Sequence, residues 1–262
     1  MKKLILVGVL ILLMISLVFN VPNGFLSQEH QVKVTDKIKT IDLDIKGVDS
    51  TIISKDQDYV KAELKGKGNV NLSKKGDTIE IEYHRPLFSF FHFGSRTQLV
   101  VTIPKDFDRE LKVDVGSGDI DFQLSKDTVL TSLELDVHSG DIDINSLNTK
   151  IASLDVSSGD IDLKHFTGEL AIDVSSGDVY VQIDELVGDI EAEVNSGQIV
   201  LDLPDDSDFT LNGEISSGAI HNHFPLKNEK NEKNEKNRLR GTHGSGKYSI
   251  DLEISSGTIE IK

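Results

Sequence analysis

A short unit of alternating apolar and acidic residues, interrupted by Ser-Ser-Gly, constrains this chain more than any other feature. The clearest copy runs from Leu154 to Leu163 and reads Leu-Asp-Val-Ser-Ser-Gly-Asp-Ile-Asp-Leu. Related units recur along the rest of the chain, each with a glycine at the same place. Successive glycines lie 22, 19, 18, 20, 21 and 39 residues apart, and they are Gly118, Gly140, Gly159, Gly177, Gly197, Gly218 and Gly257. A fixed period of about 20 residues is typical of stacked repeats, in which each unit needs its neighbours to bury its apolar face.

Each repeat combines two short strands with a corner between them. Leu154 and Val156 alternate with Asp155, as expected of a strand with one buried face. Ile161 and Leu163 alternate in the same way but at odd positions, so the corner must shift the alternation by one residue. Ser-Ser-Gly suits that corner, because glycine accepts a positive φ and serine can bond to nearby backbone. The sequence therefore predicts an all-β protein, a β-solenoid of roughly 20-residue coils stacked about 4.8 Å apart.

The first residues predict a membrane anchor or an export signal. Lys2 and Lys3 precede residues 4–21, an 18-residue run that is almost wholly apolar. This length is near the minimum for a transmembrane helix, and the two lysines favour a cytoplasmic N-terminus. A cleaved signal peptide is the alternative, although no small-residue cleavage pattern follows. We therefore expect residues 1–24 to be a single transmembrane helix or a signal, and residues 25–262 to form an extracytoplasmic domain, held at the cell membrane or secreted after cleavage.

The charge and the cysteine content limit the classes of partner that the chain can bind and the ways in which it can be anchored. The chain has 28 Lys and Arg against 44 Asp and Glu, a formal net charge of −16, and no cysteine. Such an acidic surface argues against binding to nucleic acid or adsorption to an anionic lipid surface, and it favours cations or a cationic partner. Without cysteine, neither disulfides nor lipoprotein processing can hold or anchor the chain.

The predicted domain has an irregular and a regular part. Residues 32–104 read as irregular coils with an aromatic tip at 84–93, and residues 111–262 as regular coils with a disordered polar insertion at 227–240. The tip either packs against the solenoid or forms an exposed contact for a membrane or a partner. The candidate contact residues in the tip and the insertion are Phe88, Phe90, Phe91, Phe93, Arg238 and Arg240.

The aspartates after each corner are candidate metal ligands. Stacking would align them in two neighbouring columns on one outer face, and glycine-aspartate repeats in other β-rolls bind calcium at their corners. Repulsion between carboxylates about 4.8 Å apart is only about 1 kcal/mol in water, so a solvated acidic face without metal is the alternative. The aspartates in question are Asp119, Asp121, Asp141, Asp143, Asp160, Asp162 and Asp178. Apart from this calcium, we expect no cofactor.

Three further patterns invite a chemical interpretation. His221, His223 and His243 could suit zinc, but their spacing is not diagnostic. Residues 241–247 have the glycine spacing of a phosphate-binding loop, yet Tyr248 replaces its Ser or Thr and a strand pattern follows, so we expect a return loop. The corner serines recur in nearly every coil, whereas a catalytic serine is needed once. The sequence therefore predicts no catalytic residues.

The serial Ser-Ser-Gly-Asp-Ile-Asp units, Val101-Thr-Ile-Pro-Lys105 and the stretch from Gly244 to Lys262 carry a family resemblance. They resemble a bacterial family of β-strand repeat proteins of unknown function, provisionally regarded as adhesins. Together with the N-terminal segment, the chain is similar to LiaG-like membrane proteins of the cell-envelope stress response. The resemblance implies a non-catalytic, membrane-anchored interaction module whose partner is an unidentified protein or cell-wall component. Two alternatives stay open: a calcium-stabilised adhesin that binds wall polymer or another cell, and a polysaccharide-active enzyme on a β-helix.

Overall fold

The computed structural model describes residues 27–85, 97–233 and 237–262, which form one sheet of 18 strands. The first nine strands are β1 Ser27–Lys33, β2 Thr40–Lys46, β3 Asp49–Lys55, β4 Tyr59–Lys65, β5 Asn69–Lys75, β6 Thr78–His84, β7 Gln98–Pro104, β8 Glu110–Ser117 and β9 Ile120–Gln123. The other nine are β10 Val129–Val137, β11 Ile142–Ile144, β12 Leu147–Val156, β13 Ile161–Glu185, β14 Ile190–Asp202, β15 Phe209–Asn222, β16 Lys227–Lys233, β17 Asn237–His243 and β18 Tyr248–Ile261.

The strands stack in parallel into two walls that share one core. The first wall holds the strand before each corner, in the order β6, β2, β8, β10, β12, β13, β14, β18 and β15. The second wall holds the strand after each corner, beginning with β7, β3, β9 and β11 and continuing through the later parts of β13, β14, β18 and β15. Like residues of successive coils therefore lie directly above one another.

The core follows the two-residue alternation of the sequence. The aliphatic residues on both sides of the corner are each at most 2% exposed: Leu154 and Val156 before it, and Ile161 and Leu163 after it. Asp155, which lies between Leu154 and Val156, faces solvent. The corner thus shifts the alternation by one residue, so that both strands of a coil turn their aliphatic side chains inward. The predicted all-β solenoid of short coils is confirmed.

Antiparallel strands close the end of the solenoid near β1. Strand β4 pairs with β7 on one side and with β1 on the other, and β5 pairs with β6. The side-chain amide of Gln28 joins β1 to β5, since it donates to Gly68 O at 3.2 Å and accepts from Val70 N at 3.3 Å. Both walls are therefore covered at this end.

The opposite end differs from expectation in two ways. The sequence predicts that the long last gap holds a disordered insertion at 227–240, but residues 227–233 and 237–243 form β16 and β17. They pair antiparallel with each other, and β17 pairs with residues 209–215 of β15, because backbone pairing needs no apolar face. In addition, β18 does not extend the stack beyond β15 but lies between β14 and β15.

The predicted membrane helix lies outside the described residues. The described ranges contain no helix that is long and apolar enough to cross a membrane.

Candidate functional site

The corner glycines form one column in which successive coils approach too closely for any side chain. A Cβ built on Gly159 would lie 2.2 Å from the carbonyl oxygen of Gly140, and one built on Gly177 would lie 2.1 Å from that of Gly159. Gly159 also has a φ of 146°, which residues with a Cβ rarely adopt. The same approach continues through Gly197, and then through Gly257 before Gly218, which follows the order of the strands in space. These glycines are therefore structural.

The aspartate after each corner bonds to the next coil. Oδ1 of Asp119 accepts from Asp141 N at 3.4 Å, and Oδ1 of Asp141 accepts from Asp160 N at 3.4 Å. Asp160 accepts from Asp178 N at 3.0 Å, and Asp178 in turn from the backbone N of residue 198 at 3.0 Å. We call these four residues the aspartate ladder. One oxygen of each carboxylate thus satisfies a backbone donor at the corner.

The aspartate ladder bears directly on the calcium prediction. One oxygen per ladder carboxylate is already a hydrogen-bond acceptor, so the backbone itself offsets part of the repulsion between stacked charges. Among the residues that the structure describes, no three His, Asp or Glu side chains are grouped so that they could hold a metal ion. Calcium on these aspartates stays a prediction.

Part of the second predicted aspartate column lines a groove together with Tyr180. Asp121, Asp143 and Asp162 occupy equivalent positions in successive coils, and Tyr180 takes that position in the next coil. The groove is about 390 Å³ and is lined by Asp141, Ile142, Asp143, Asp160, Ile161, Asp162, Asp178, Val179, Tyr180, Gln198 and Val200.

The phenol of Tyr180 is held at the edge of this groove. Its hydroxyl donates to Asp202 Oδ2 at 2.8 Å, and Lys262 Nζ lies 5.7 Å from the centre of its ring. Burial and the bond to Asp202 raise the pKa of Tyr180 to about 12. The phenol is therefore neutral at physiological pH.

A longer carboxylate column, which was not predicted from the sequence, runs along the outer face of the first wall. It contains nine acidic residues in register, namely Glu82, Asp44, Asp114, Asp136, Asp155, Asp173, Glu193, Glu253 and Glu214. The column ends at Arg238 of β17, whose Nη2 lies 3.1 Å from Glu214 Oε1. The signal was present in the acidic residue between the two aliphatic ones before each corner, such as Asp155 in Leu154-Asp155-Val156.

One member of the carboxylate column, Asp155, has a raised pKa. Burial raises the pKa of Asp155, and the charges of Asp136 and Asp173 on the adjacent strands raise it further. Cations offset this charge only in part: Lys46 Nζ lies 3.1 Å from Asp44 and 3.8 Å from Asp114, and Arg238 is paired with Glu214. The first wall thus presents an extended row of negative charge.

The two predicted arginine contacts belong to this region. Arg238 is paired with Glu214, as described, and Arg240 faces Asn212 across the β15–β17 pairing. Arg240 also lines a groove of about 480 Å³ together with Glu191, Ala192, Glu193, Asn212, Gly213, Glu214, Asp251, Leu252 and Glu253. The phenylalanines at 88, 90, 91 and 93 lie outside the described residues.

The three histidines do not converge on one point. His223 Nε2 lies 3.3 Å from Glu260, whereas His243 Nδ1 lies 3.1 Å from the carbonyl oxygen of Pro225. The ring of His243 packs on Phe224 with a centroid separation of 5.0 Å. Among the described side chains, no His-containing group fits a metal ion.

The loop with phosphate-loop spacing binds a carboxylate of its own chain. Oδ1 of Asp208 accepts from the backbone N of Ser245 at 2.8 Å, of Gly246, and of Lys247 at 3.0 Å. Oδ2 accepts from the Ser245 hydroxyl at 2.6 Å. These donors lower the pKa of Asp208 to about 2, with the hydroxyl contributing most. The loop is therefore an anion-binding nest filled from within, as suits a return loop.

Stacked coils with glycine corners, an aspartate ladder and a carboxylate column define a parallel β-solenoid with charged walls. The chain belongs to the Toastrack DUF4097 family, whose profile matches residues 38–262. The resemblance to a family of β-strand repeat proteins is thereby confirmed, while the likeness to LiaG-like proteins stays a prediction. No curated protein sequence matches the chain.

Several solved structures are similar to this chain. A protein from Bacteroides fragilis, provisionally described as an adhesin, is 13% identical with a TM-score of 0.47, and the match covers 90% of this chain and 97% of that one. A provisional cell adhesion protein from Clostridium sporogenes is 15% identical with a TM-score of 0.35, covering 90% and 99%. A provisional adhesin from Parabacteroides merdae is 12% identical with a TM-score of 0.36, covering 92% and 97%.

Proposed function

We propose that the protein is a non-catalytic interaction module, held outside the cell by its N-terminal segment and acting in the response to envelope stress. The carboxylate column carries this proposal, because it gives the first wall one repeated, rigid and strongly charged face. Its partner is a cationic region of another protein or of a cell-wall component. Association with such a face is steered by charge and weakens with added salt.

The repetition of the fold supports a non-catalytic role. Enzymes hold a nucleophile, a base and an oxyanion site in one unique arrangement. Here the serines, glycines and aspartates of the corners recur in coil after coil, and the ladder aspartates are engaged with backbone donors. Repeated polar groups of this kind stabilise a stack and display a surface.

Crosslinking in intact cells tests the proposal. A photoreactive amino acid at Asp173, in the middle of the carboxylate column, is expected to capture a partner in a salt-dependent manner. The matched control is Val129, which is 52% exposed but lies outside the column. Equal capture at both positions, or glycan-cleaving activity that one point substitution abolishes, would overturn the proposal. Protease digestion of whole cells, which should remove the solenoid, checks the location.

A further inference from the structure

At the end of the solenoid opposite β1, part of the outer edge of β15 lies uncovered. The end near β1 is closed by β4 and β5, and at the other end β17 covers residues 209–215 of β15. The remainder of β15 pairs only with β18, on its inner side. No strand within the described ranges pairs with the outer edge of residues 217–222.

The hydrogen-bonding pattern of the stack shows what this edge offers. In two inner coils, the aliphatic residue after the corner donates its N–H to the following coil: Ile120 to Asp141 O at 2.9 Å and Ile142 to Asp160 O at 2.9 Å. Ile220 has the same register position in the last coil, through its pairing with Ile259. Its N–H therefore points away from β18, towards a strand that the described chain does not supply.

The core is open at the same place. Ile120, Ile142 and Ile259 are at most 1% exposed, whereas Ile220 is only partly buried. Beside it lies a groove of about 680 Å³, lined by Ile220, His221, Asn222, His223, Phe224, Pro225, Leu226 and Leu239. We call it the terminal groove. It has room for aliphatic side chains of an added strand to cover Ile220.

The charge of the terminal groove differs from that of the other walls. Its lining includes two histidines and no Asp or Glu, whereas the two grooves described above are each lined by five acidic residues. The nearby Glu260 is paired with His223 at 3.3 Å. An acidic ligand therefore meets less repulsion in the terminal groove than in the two acidic grooves.

The edge also lacks the features that keep strand edges unpaired. Natural proteins protect open edges with charged residues, proline or a covering segment. Strand β16, which forms the outer edge beside the first wall, has the sequence Lys-Asn-Glu-Lys-Asn-Glu-Lys and is protected in this way. Residues 217–222 read Ser-Gly-Ala-Ile-His-Asn, with neither proline nor a residue of fixed charge.

We infer that the outer edge of residues 217–222 binds an extended peptide segment of a partner protein, with aliphatic side chains on one face and acidic side chains on the other. The peptide adds a strand to the second wall, so that its backbone pairs with Ile220 and its aliphatic residues enter the terminal groove. Its acidic residues lie on the outer face near His221 and His223. This inference goes beyond the proposed function, since it concerns a second surface, and it rests on that function only in treating the chain as an interaction module.

A labelled peptide with the sequence of residues 157–163, Ser-Ser-Gly-Asp-Ile-Asp-Leu, is a suitable probe, because the inner coils accept this segment as a neighbour. Its fluorescence anisotropy is measured against the purified full-length chain in detergent. We expect saturable binding that Ile220→Lys weakens at least tenfold. The matched control is Ile151→Lys on β12, at a residue that is 40% exposed and remote from the edge; it should bind like the original chain. Absence of saturable binding, or equal loss in both variants, overturns the inference.

Modified probes and a second variant keep the test independent of folding. Methylating the peptide amide of the residue copied from Asp162 should abolish binding, since that N–H would donate to Ile220 O, and unchanged binding overturns strand addition. Replacing both peptide aspartates by lysine should weaken binding. Ile220→Pro removes the outward N–H and breaks no backbone hydrogen bond to β18, so a folded variant that still binds overturns the inference. These results concern the edge alone, whereas crosslinking at Asp173 tests the proposed function, so the two can fail separately.

Discussion

Replacing Gly159 by alanine tests whether the corner glycines are needed for close approach between coils. The added Cβ would lie 2.2 Å from Gly140 O, and an ordinary contact needs roughly 3.5 Å, so the coils must separate locally by about 1 Å. That movement strains the bonds from Ile142 N to Asp160 O, at 2.9 Å, and from Asp160 N to Asp141 Oδ1, at 3.4 Å. Overpacking costs about 1–3 kcal/mol, and the left-handed φ costs about 1–2 kcal/mol. The free energy of unfolding should therefore fall by about 2–5 kcal/mol.

Gly76 provides the matched control. It also has a positive φ, 65°, but a Cβ there would meet no atom within 4 Å. Gly76→Ala should therefore lose only the conformational part, about 1–2 kcal/mol. Urea denaturation of both variants, followed by circular dichroism, measures the free energy of unfolding. If the two substitutions cost the same, coil-to-coil approach is not the reason for glycine at the corners.

Further expectations concern the charged groups. Asp160→Ala should lose about 1 kcal/mol more free energy of unfolding than Asp160→Asn, which keeps the acceptor for Asp178 N; equal urea midpoints would contradict a role for that bond. Because the pKa of Asp155 is raised in the folded state, the folded chain gains stability as pH falls through that pKa. Asp155→Asn should therefore raise the urea midpoint at pH 7, and the gain should vanish in acid; no gain at pH 7 counts against the carboxylate repulsion. Asp208 behaves oppositely: with a pKa lowered from 3.8 to about 2, its contribution is complete above pH 3.8 and is lost as pH falls towards 2. Asp208→Asn should thus be less stable than the original chain at pH 7. The difference in stability should shrink towards zero as pH falls through 2, as acid titrations of both proteins would show. Millimolar calcium should leave the melting temperature unchanged, and a clear rise would favour the calcium-stabilised adhesin.

The repeating unit predicted the solenoid because its two strands are out of phase. Leu154 and Ile161 can both point inward only if the chain turns between them, and the constant period makes the turns coincide. The ladder aspartates were found for the same reason, since each follows its glycine directly. What the pattern does not contain is the bond from each carboxylate to the next backbone N–H, which depends on the register between coils.

The order of the last coils could not be read from the sequence. Residues 215–220 and 254–259 have nearly the same pattern, Ile-Ser-Ser-Gly-Ala-Ile and Ile-Ser-Ser-Gly-Thr-Ile, so either could lie next to β14. The pairing of β16 with β17 was equally hidden, because polar triplets show no buried face. The carboxylate column was missed since its members lie about 20 residues apart or more and meet only in the stack.

The position of β18 makes the stack depend on a strand that follows β15 in sequence. β18 follows every other described strand in sequence, yet it lies between β14 and β15 and buries Ile250, Leu252 and Ile254. A chain cut before β18 would lack the strand that joins β14 to β15, so both of these strands would expose an unpaired edge.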